Sequence, residues 1–279
     1  MQKKQHTLSK ACLFEGKGLH TGAPVTMKLL PASEGSGIRF RRTDLPGEPD
    51  MEALAEYVTH TTRCTTLAQG QVQIMTAEHL LSALTGLGID NVLVELDSAE
   101  VPILDGSARP YAEAILAAGI EEQCADRRYI ELPYTLEIRD SRSGSWIRLE
   151  PAKALSAHVT IDFSSEVLGE QNATWNEETD YATQIAPCRT FCFYREVEPL
   201  LKAGLIKGGD LDNALVITDE GYMGNPQLYF PDECGRHKLL DLVGDLRLAG
   251  GYLHARIEAY KPGHTLNTKA AKALRALLK

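Results

Sequence analysis

The stretch HKLLDLVG at residues 237–244 has a partial copy earlier in the chain, HLLSALTG at residues 79–86. The two share His, Leu, Leu and Gly at their first, third, sixth and eighth positions. A second pair, MKLLPA at 27–32 and IRLEPA at 147–152, follows the same order with a smaller separation. An internal repeat of this kind predicts two related halves that meet near residues 124–130, with additional residues inserted in the second half.

Hydrophobic periodicity separates strands from helices in each half. Alternating or β-branched segments bounded by Gly, Asp, Asn or Pro predict strands at VTMKLLPA, NVLVEL, YTLEIRD, SWIRLEP, HVTIDF, ALVIT and HARIEAY. The i, i+3, i+4 spacing predicts helices at TAEHLLSALTGLG, with Thr76 as its cap, at RHKLLDLVGDLRLAGG and at TLNTKAAKALRALLK. Each half is therefore expected to be an α+β layer, a sheet backed by a helix, over residues 1–126 and 127–279.

Composition excludes several classes of function. Of the 279 residues, 43% are hydrophobic and 24% are charged, which suits a globular protein with a substantial core. The net charge of −9 argues against a general affinity for nucleic acid or anionic membranes, so a bound phosphate must meet a local basic site. The six cysteines form no CxxC pair, which favours free thiols in a reducing compartment. Since no apolar run reaches membrane-spanning length, we interpret the protein as cytoplasmic and without stable membrane insertion.

The segment GRHKLLDLVGD at 235–245 places His237, Asp241 and Asp245 at four-residue intervals. Four residues advance a helix by about 400°, so the three side chains project from one face. Imidazole nitrogen and carboxylate oxygen are both zinc ligands, and an open catalytic site needs three protein ligands. A buried core histidine beside solvated aspartates is nevertheless the commoner arrangement for a single such spacing. Spacing alone leaves both interpretations open.

The other copy of the repeat adds a third candidate ligand. His79 is equivalent to His237, so two helices packed face to face would bring His79 opposite His237 and Asp241. Ala83 lies four residues after His79, so the first helix offers no second ligand of its own. Glu78, next to His79, is placed to act as a general base toward a water molecule. An acidic residue in a first helical turn is also common for purely electrostatic reasons.

Five segments in order resemble one known family. They are TAEHLLSALTGLGIDN, VPILDGSARPY, CRTFCFYRE, RHKLLDLVGDL and AYKPGHTLNTK, and together they resemble the zinc-dependent UDP-3-O-acyl-N-acetylglucosamine deacetylases of lipid A biosynthesis. The resemblance runs from EGKGLHTG near the start to the last helix. It implies two α/β halves of the same topology, packed helix layer to helix layer, each with an insert. It also implies a Zn²⁺ cofactor and hydrolysis of the N-acetyl group of an acylated UDP-sugar to a free amine and acetate.

Carried over by position, the resemblance implies metal ligands at His79, His237 and Asp241, and a catalytic base at Glu78. The base would activate water for attack on the acetamide carbonyl.

Four further positions match the catalytic residues of the family. The hydroxyl of Thr190 would stabilise the tetrahedral oxyanion. His264 would assist the amine leaving group, and Asp245 would keep its imidazole protonated because a neighbouring carboxylate raises a histidine pKa. Lys238 would face the negative charge of the substrate and transition state.

The rest of the substrate requires two different surfaces. Lys261 and Lys238 are the candidates for the diphosphate, and Phe163 is a candidate to pack on a ring. The acyl chain requires an apolar groove, for which the insert at 191–215 is the expected source. Its candidate contacts are Phe191 and the leucines of a short helix around REVEPLLKAG, with the neighbouring apolar side chains: Leu200, Leu201, Leu205 and Ile206. A solvated surface lysine and an ordinary hydrophobic core remain the alternatives.

Other functions stay open at this point. The same zinc ligands would suit another amidohydrolase acting on a nucleotide sugar, and a non-catalytic nucleotide-sugar or metal-binding module would need fewer of these residues. A third alternative is the deacetylase half of a fusion with a hydroxyacyl dehydratase. The loop at 164–184 departs from the family pattern, so no contacts are assigned there. A site enclosed between two halves of one chain makes a monomer sufficient.

Overall fold

The computed structural model describes residues 3–202 and 207–278, without the side chains of Leu200 and Leu201. Two of the predicted apolar contacts, Leu205 and Ile206, lie outside the described residues. The strands are β1 (Lys4–Leu8), β2 (Cys12–Lys17), β3 (Pro24–Pro31), β4 (Ile38–Arg42), β5 (Asp50–Glu52), β6 (Val58–His60), β7 (Thr66–Gln69), β8 (Val72–Ile74), β9 (Val92–Leu96), β10 (Ile120–Asp126), β11 (Tyr129–Glu131), β12 (Leu136–Asp140), β13 (Ser145–Pro151), β14 (Ser156–Asp162), β15 (Glu170–Asn176), β16 (Phe191–Phe193), β17 (Leu215–Ile217) and β18 (Tyr252–Tyr260). The helices are α1 (Glu78–Gly86), α2 (Arg109–Ala118), α3 (Tyr181–Gln184), α4 (Tyr194–Lys202), α5 (Glu233–Arg247) and α6 (His264–Ala276), with a 3₁₀ turn at Ala55–Tyr57.

The two large sheets have the same topology. The first has the strand order β2-β3-β9-β4-β5 and the second the order β12-β13-β18-β14-β15. In each sheet the central strand pairs in parallel with the strand that stands fourth in that order: β9 pairs with β4, and β18 pairs with β14. The other pairs along each order are antiparallel. The repeated segments MKLLPA and IRLEPA fall in the equivalent strands β3 and β13. The predicted α+β fold of two related layers is thereby confirmed.

Each half carries its insert at the same point, between the last strand of its large sheet before the main helix (β5 or β15) and that helix. In the first half the insert is the three-stranded sheet β6-β7-β8, and in the second it contains α3, α4 and the parallel pair of β16 with β17. The main helices α1 and α5 contain the other repeated segments and precede the central strands β9 and β18. The layout explains why the separation between repeated segments grows along the chain.

The helices α1 and α5 pack directly against each other because Gly244 has no side chain. A Cβ atom on Gly244 would lie 2.0 Å from the carbonyl oxygen of Glu78 and 3.1 Å from the amide nitrogen of Ser82. In α1 the repeat glycine, Gly86, instead leaves room for the ring of Tyr181, since a Cβ atom on Gly86 would lie 2.2 Å from that ring. The contact at Gly244 sets the first turn of α1 against the last turn of α5.

The prediction that Thr76 caps α1 is wrong. The helix begins at Glu78 with Ala77 at the cap position and no side-chain cap. Thr76 has a φ of 56°, and its hydroxyl donates to the buried carboxylate of Glu100 at 2.9 Å. Glu100 also accepts hydrogen bonds from the amides of His20 and Thr21, so the hydroxyl of Thr76 holds a loop rather than the helix end.

Two expectations about the whole chain can be compared with the structure. All six cysteines are free thiols. Within residues 3–202 and 207–278, no helix combines the length and apolarity needed to cross a bilayer.

Candidate metal centre and active site

Three predicted ligands from the two main helices meet in the interior. Nε2 of His79 lies 3.6 Å from Oδ1 of Asp241, and Nε2 of His237 lies 3.4 Å from the same oxygen. The two imidazole rings are nearly perpendicular, with centroids 4.9 Å apart. One donor atom from each residue lies within 4.8 Å of the others, and all three side chains are buried.

The chemistry of this cluster fits a metal ion. Oδ1 of Asp241 is buried and has no hydrogen-bond partner among residues 3–202 and 207–278, which is costly unless a cation or donor occupies the space before it. Nδ1 of His237 is 3.0 Å from the carbonyl oxygen of Cys188. If Nδ1 donates to that oxygen, the lone pair of His237 is on Nε2, which faces Asp241. These are the donor types that zinc takes in catalytic sites.

The surroundings keep the histidines neutral and the aspartate charged, as metal ligation requires. Burial, reinforced by the nearby His237, lowers the pKa of His79 to about 3. Burial likewise lowers the pKa of His237. Burial alone would raise the pKa of Asp241, but Lys238 and the nearby histidines outweigh it and hold that pKa well below its usual range. Nζ of Lys238 lies 2.8 Å from Oδ2 of Asp241, leaving Oδ1 for the cluster.

Glu78 lies beside the cluster as a second buried carboxylate. Its Oε2 accepts a hydrogen bond from the amide of Thr65 at 3.1 Å, and its Oε1 is 3.7 Å from Nε2 of His264. Burial, with Asp245 and Asp241 nearby, raises the pKa of Glu78 to about 8, although His264 opposes the shift. A carboxyl group with a pKa near neutrality is suited to take up and release protons.

His264 is held by Asp245, as the resemblance implies. Nδ1 of His264 is 2.8 Å from Oδ2 of Asp245, which also accepts from Asn267 at 2.9 Å. Burial alone would lower the pKa of the imidazole, but Asp245 and Glu78 raise it to about 9. The first residue of α6 is therefore an imidazolium ion at neutral pH, next to the carboxyl group of Glu78.

These groups line one cavity of about 400 Å³, a volume typical of small-molecule sites. The cluster lines it together with Glu78, Lys238, Thr190 and His264. The insert of the second half adds an apolar set to the same lining, which forms its apolar arm and includes Val197, Leu211, Ala214, Val216 and Met223. Charged groups and apolar side chains therefore line one cavity.

The predicted substrate contacts divide between this cavity and a neighbouring one. Phe163 and Phe191 line the main cavity, with ring centroids 5.7 Å apart, and Nζ of Lys238 lies 5.4 Å from the Phe191 centroid. Lys261 does not line the main cavity; it lines an adjoining pocket of about 300 Å³ with Lys269. Both pockets share Arg63 and His264.

The predicted contacts of Leu200 and Leu201 with the acyl chain stay a prediction. Leu200 and Leu201 belong to the backbone of α4, but their side chains are not among those described.

Several residues in the site were missed by sequence reasoning. His20 and Arg63 line the cavity, and the buried Nε2 of His20 has no hydrogen-bond partner within the part of the chain that the structure describes. Thr65 and Glu100 are fully buried and bind loops beside the cavity. All four lie in or beside loops, where no periodicity marks a side chain. The available signal for His20 was its position in the segment EGKGLHTG, and the other three lie in none of the segments that carry the resemblance.

A buried His, His, Asp cluster facing a cavity, with a second carboxylate beside it, is the arrangement typical of mononuclear metal hydrolases. Residues 5–276 match the family described as UDP-3-O-acyl N-acetylglycosamine deacetylase, LpxC. The chain belongs to this family.

Proteins with assigned names are similar over nearly the whole chain. A bifunctional enzyme LpxC/FabZ of Porphyromonas gingivalis is 44% identical over 100% of this chain and 65% of its own length. The UDP-3-O-acyl-N-acetylglucosamine deacetylase of Myxococcus xanthus is 44% identical over 96% of this chain and 85% of its own. That of Trichormus variabilis is 40% identical over 98% and 99%. The chain therefore spans less than two thirds of the length of the bifunctional relative.

Proposed function

We propose that this chain is a zinc-dependent deacetylase. It hydrolyses the N-acetyl group of UDP-3-O-(hydroxyacyl)-N-acetylglucosamine to the free amine and acetate, in the biosynthesis of lipid A. The observation that carries the proposal is Oδ1 of Asp241, which has no hydrogen-bond partner among the described residues and lies buried with His79 and His237 at a cavity that apolar side chains also line. A metal hydrolase acting on an acylated sugar needs both kinds of lining.

His79, His237 and Asp241 would hold the zinc ion, which when bound would supply Lewis acidity toward a carbonyl oxygen and toward water. Glu78 takes the proton of the attacking water at its carboxylate. Its pKa of about 8 is favourable for holding that proton. A cation in the cluster would lower this pKa, which leaves Glu78 ionised before the reaction.

The remaining polar groups act on the charges that develop during the reaction. His264 provides the proton, or the positive charge, at the departing amine, and Asp245 holds its ring in orientation. The Thr190 hydroxyl donates to the oxyanion that forms from the acetamide carbonyl. Lys238 stabilises negative charge while keeping Asp241 ionised.

The two pockets fit the two ends of the substrate. The apolar arm around Val197, Val216 and Met223 is the proposed acyl passage. The adjoining pocket with Lys261 and Lys269, reached past Arg63, supplies the local positive charge that a diphosphate needs on an acidic protein. Phe163 at the cavity wall is available to pack on a ring.

The proposal is tested by acetate release from two substrates that differ in one group. The zinc-loaded protein is given UDP-N-acetylglucosamine with and without the 3-O-hydroxyacyl chain. We expect turnover of the acylated compound and a much lower kcat/KM for the free sugar, because the apolar arm contributes binding only to the former. Equal turnover would favour a general nucleotide-sugar amidohydrolase. Full activity in metal-free protein would refute the zinc mechanism.

The relatives and the fold also bear on the form in which the proposed enzyme acts. The similarity to the bifunctional enzyme supports the view that this deacetylase unit also works when joined to a dehydratase. We propose cytoplasmic action as a monomer, since both main helices of one chain complete the cluster.

A further inference from the structure

The general base and the leaving-group histidine belong to one closed ring of contacts. Nε2 of His264 faces Oε1 of Glu78 at 3.7 Å, and Nδ1 of His264 faces Oδ2 of Asp245 at 2.8 Å. Thr65 completes the ring: its amide donates to Oε2 of Glu78 at 3.1 Å, and its hydroxyl donates to Oδ1 of Asp245 at 2.6 Å. Three side chains from two halves of the chain are thus joined through a single threonine.

The ring fixes the position of Glu78 relative to His264. Glu78 lies at the start of α1 and His264 at the start of α6, in different halves, and proton transfer requires both at fixed distances from one substrate. Each carboxylate presents one oxygen to His264 and its other oxygen to Thr65. Rotation of either carboxylate away from His264 therefore breaks a hydrogen bond to Thr65 as well.

The local structure is built to hold Thr65 in this place. Thr65 is fully buried and directly precedes β7. Its neighbours in sequence, Cys64 and Thr66, are also buried. Two residues earlier, Arg63 has a φ of 66°, a left-handed conformation that is uncommon for a residue other than glycine. Such local strain persists where the surrounding structure enforces it.

We propose that Thr65 is a positioning residue for the deacetylation reaction, orienting Glu78 through its amide and the pair of Asp245 and His264 through its hydroxyl. This inference rests on the proposed function for its kinetic consequence, but not for its structural one. Loss of the hydroxyl leaves Oδ1 of Asp245 without this donor and frees the Asp245 carboxylate to turn. Substrate binding is unaffected because Thr65 does not line the cavity.

The test compares three variants in zinc-loaded protein. Thr65→Val keeps the amide and the shape but removes the hydroxyl, whereas Thr65→Ser keeps both donors. Thr66→Val is the matched control, since Thr66 is the next buried threonine and its hydroxyl contacts only the Cys64 sulfur, at 3.8 Å, among the hydrogen bonds found here. We expect Thr65→Val to lower kcat about 10- to 100-fold with KM within about twofold and zinc content unchanged. Thr65→Ser should restore most of kcat, and Thr66→Val should retain it.

A second measurement does not depend on turnover. The Nδ1 proton of His264 is observed by NMR of ¹⁵N-labelled histidine, assigned with His264→Gln. We expect its resonance to shift in Thr65→Val and to return in Thr65→Ser. An unchanged resonance, or an unchanged kcat in an active protein, overturns the inference. If the wild type releases no acetate, the proposed function fails while the NMR comparison still decides the role of Thr65; if Thr65→Val does not fold, Thr65→Ala against Thr65→Ser makes the same comparison.

Discussion

Glu78 and Asp241 are both fully buried carboxylates on facing helices, yet their surroundings give them opposite properties. Lys238 and the neighbouring histidines hold the pKa of Asp241 low against the effect of burial. Glu78 has no lysine at hydrogen-bond distance among its described contacts, and burial with Asp245 nearby raises its pKa to about 8. Environments that separate the pKa values of two carboxyl groups also separate their roles. We therefore assign ligation to Asp241 and proton transfer to Glu78.

Replacing Glu78 by glutamine tests this assignment. The amide has nearly the same shape but cannot accept a proton, so kcat should fall about 10²- to 10⁴-fold. Zinc content measured by metal analysis should stay the same, since Glu78 is not a proposed ligand. Glu113→Gln, a change to an exposed glutamate on α2, is the control and should behave as the wild type. Unchanged kcat in Glu78→Gln would remove Glu78 from the role of base.

The imidazolium of His264 predicts the behaviour of the enzyme at high pH. Its folded-state pKa of about 9 lies above the ordinary value, so the ring is cationic through neutral pH and loses its proton as the pH rises through about 9. We expect kcat to fall across that range, or somewhat lower, because a bound cation would reduce the pKa. The pH profile of kcat checks this. His264→Gln should have low activity and no such descending limb; a limb that persists in this variant would assign it to another group.

At the residue level, the side chains predicted from spacing lie on helices, whereas Thr190 and Lys261, outside the helices, were assigned through the family resemblance. His79, His237 and Asp241 could be brought together because a repeated helix fixes their spacing once its two copies are taken to pack face to face. Nothing comparable marks Thr65 or His20, whose positions depend on tertiary contacts of short turns. Such side chains are recognised only when the fold is known.

Among the elements, the first residue of α5, Glu233, binds a neighbouring segment of the chain. The carboxylate of Glu233, fully buried, accepts hydrogen bonds from the amide and side chain of Arg189 at 2.8–3.1 Å and from the amide of Tyr229 at 2.8 Å. Arg189 lies between Cys188, whose carbonyl contacts His237, and Thr190, which lines the cavity. Glu233 therefore fixes the CRTF segment to the helix that carries two of the ligands.

Glu233→Gln should damage both stability and metal binding. An amide at this position turns one acceptor into a donor facing other donors, which costs about 1.5–3 kcal/mol in the free energy of unfolding. Displacement of the Cys188 carbonyl from His237 should weaken the affinity for zinc about 10- to 100-fold. Denaturant titration and zinc competition measure the two effects. The control is Asp232→Asn, where a partly exposed pair with Arg236 at 2.9 Å is lost and little change is expected; similar losses in both variants would contradict the argument.

Two edge strands that the sequence did not predict are stabilised by their neighbours rather than by their own pattern. β15, with the sequence EQNATWN, has few β-branched residues and is a strand because it pairs along its full length with β14. β5 is only three residues long, Asp50–Glu52, and pairs with β4. Strand propensity depends on such context, so short edge strands give a weak sequence signal.

For the whole molecule, the proposed metal cluster links the two halves. His79 is on α1 of the first half, and His237 and Asp241 are on α5 of the second, at the contact that Gly244 permits. The family resemblance implied this packing of helix layer against helix layer, and the repeat then placed His79 opposite His237 and Asp241. The inserts differ between the halves and determine the cavity, and for that reason the repeat could not predict the cavity.

Zinc should consequently stabilise the whole fold. A ligand that binds only the folded state adds about 2.7 kcal/mol at a free concentration of 100 times its Kd, because unfolding separates ligands that are far apart in sequence. Thermal unfolding of the wild type should therefore shift to higher temperature with added zinc and back with a chelator. His79→Ala and Asp241→Ala, one in each half, should both abolish the shift, whereas His254→Ala, at a surface pair with Glu131, should retain it. Full zinc stabilisation in either ligand variant would mean that the metal is bound within one half, and that the two halves are held together by helix packing alone.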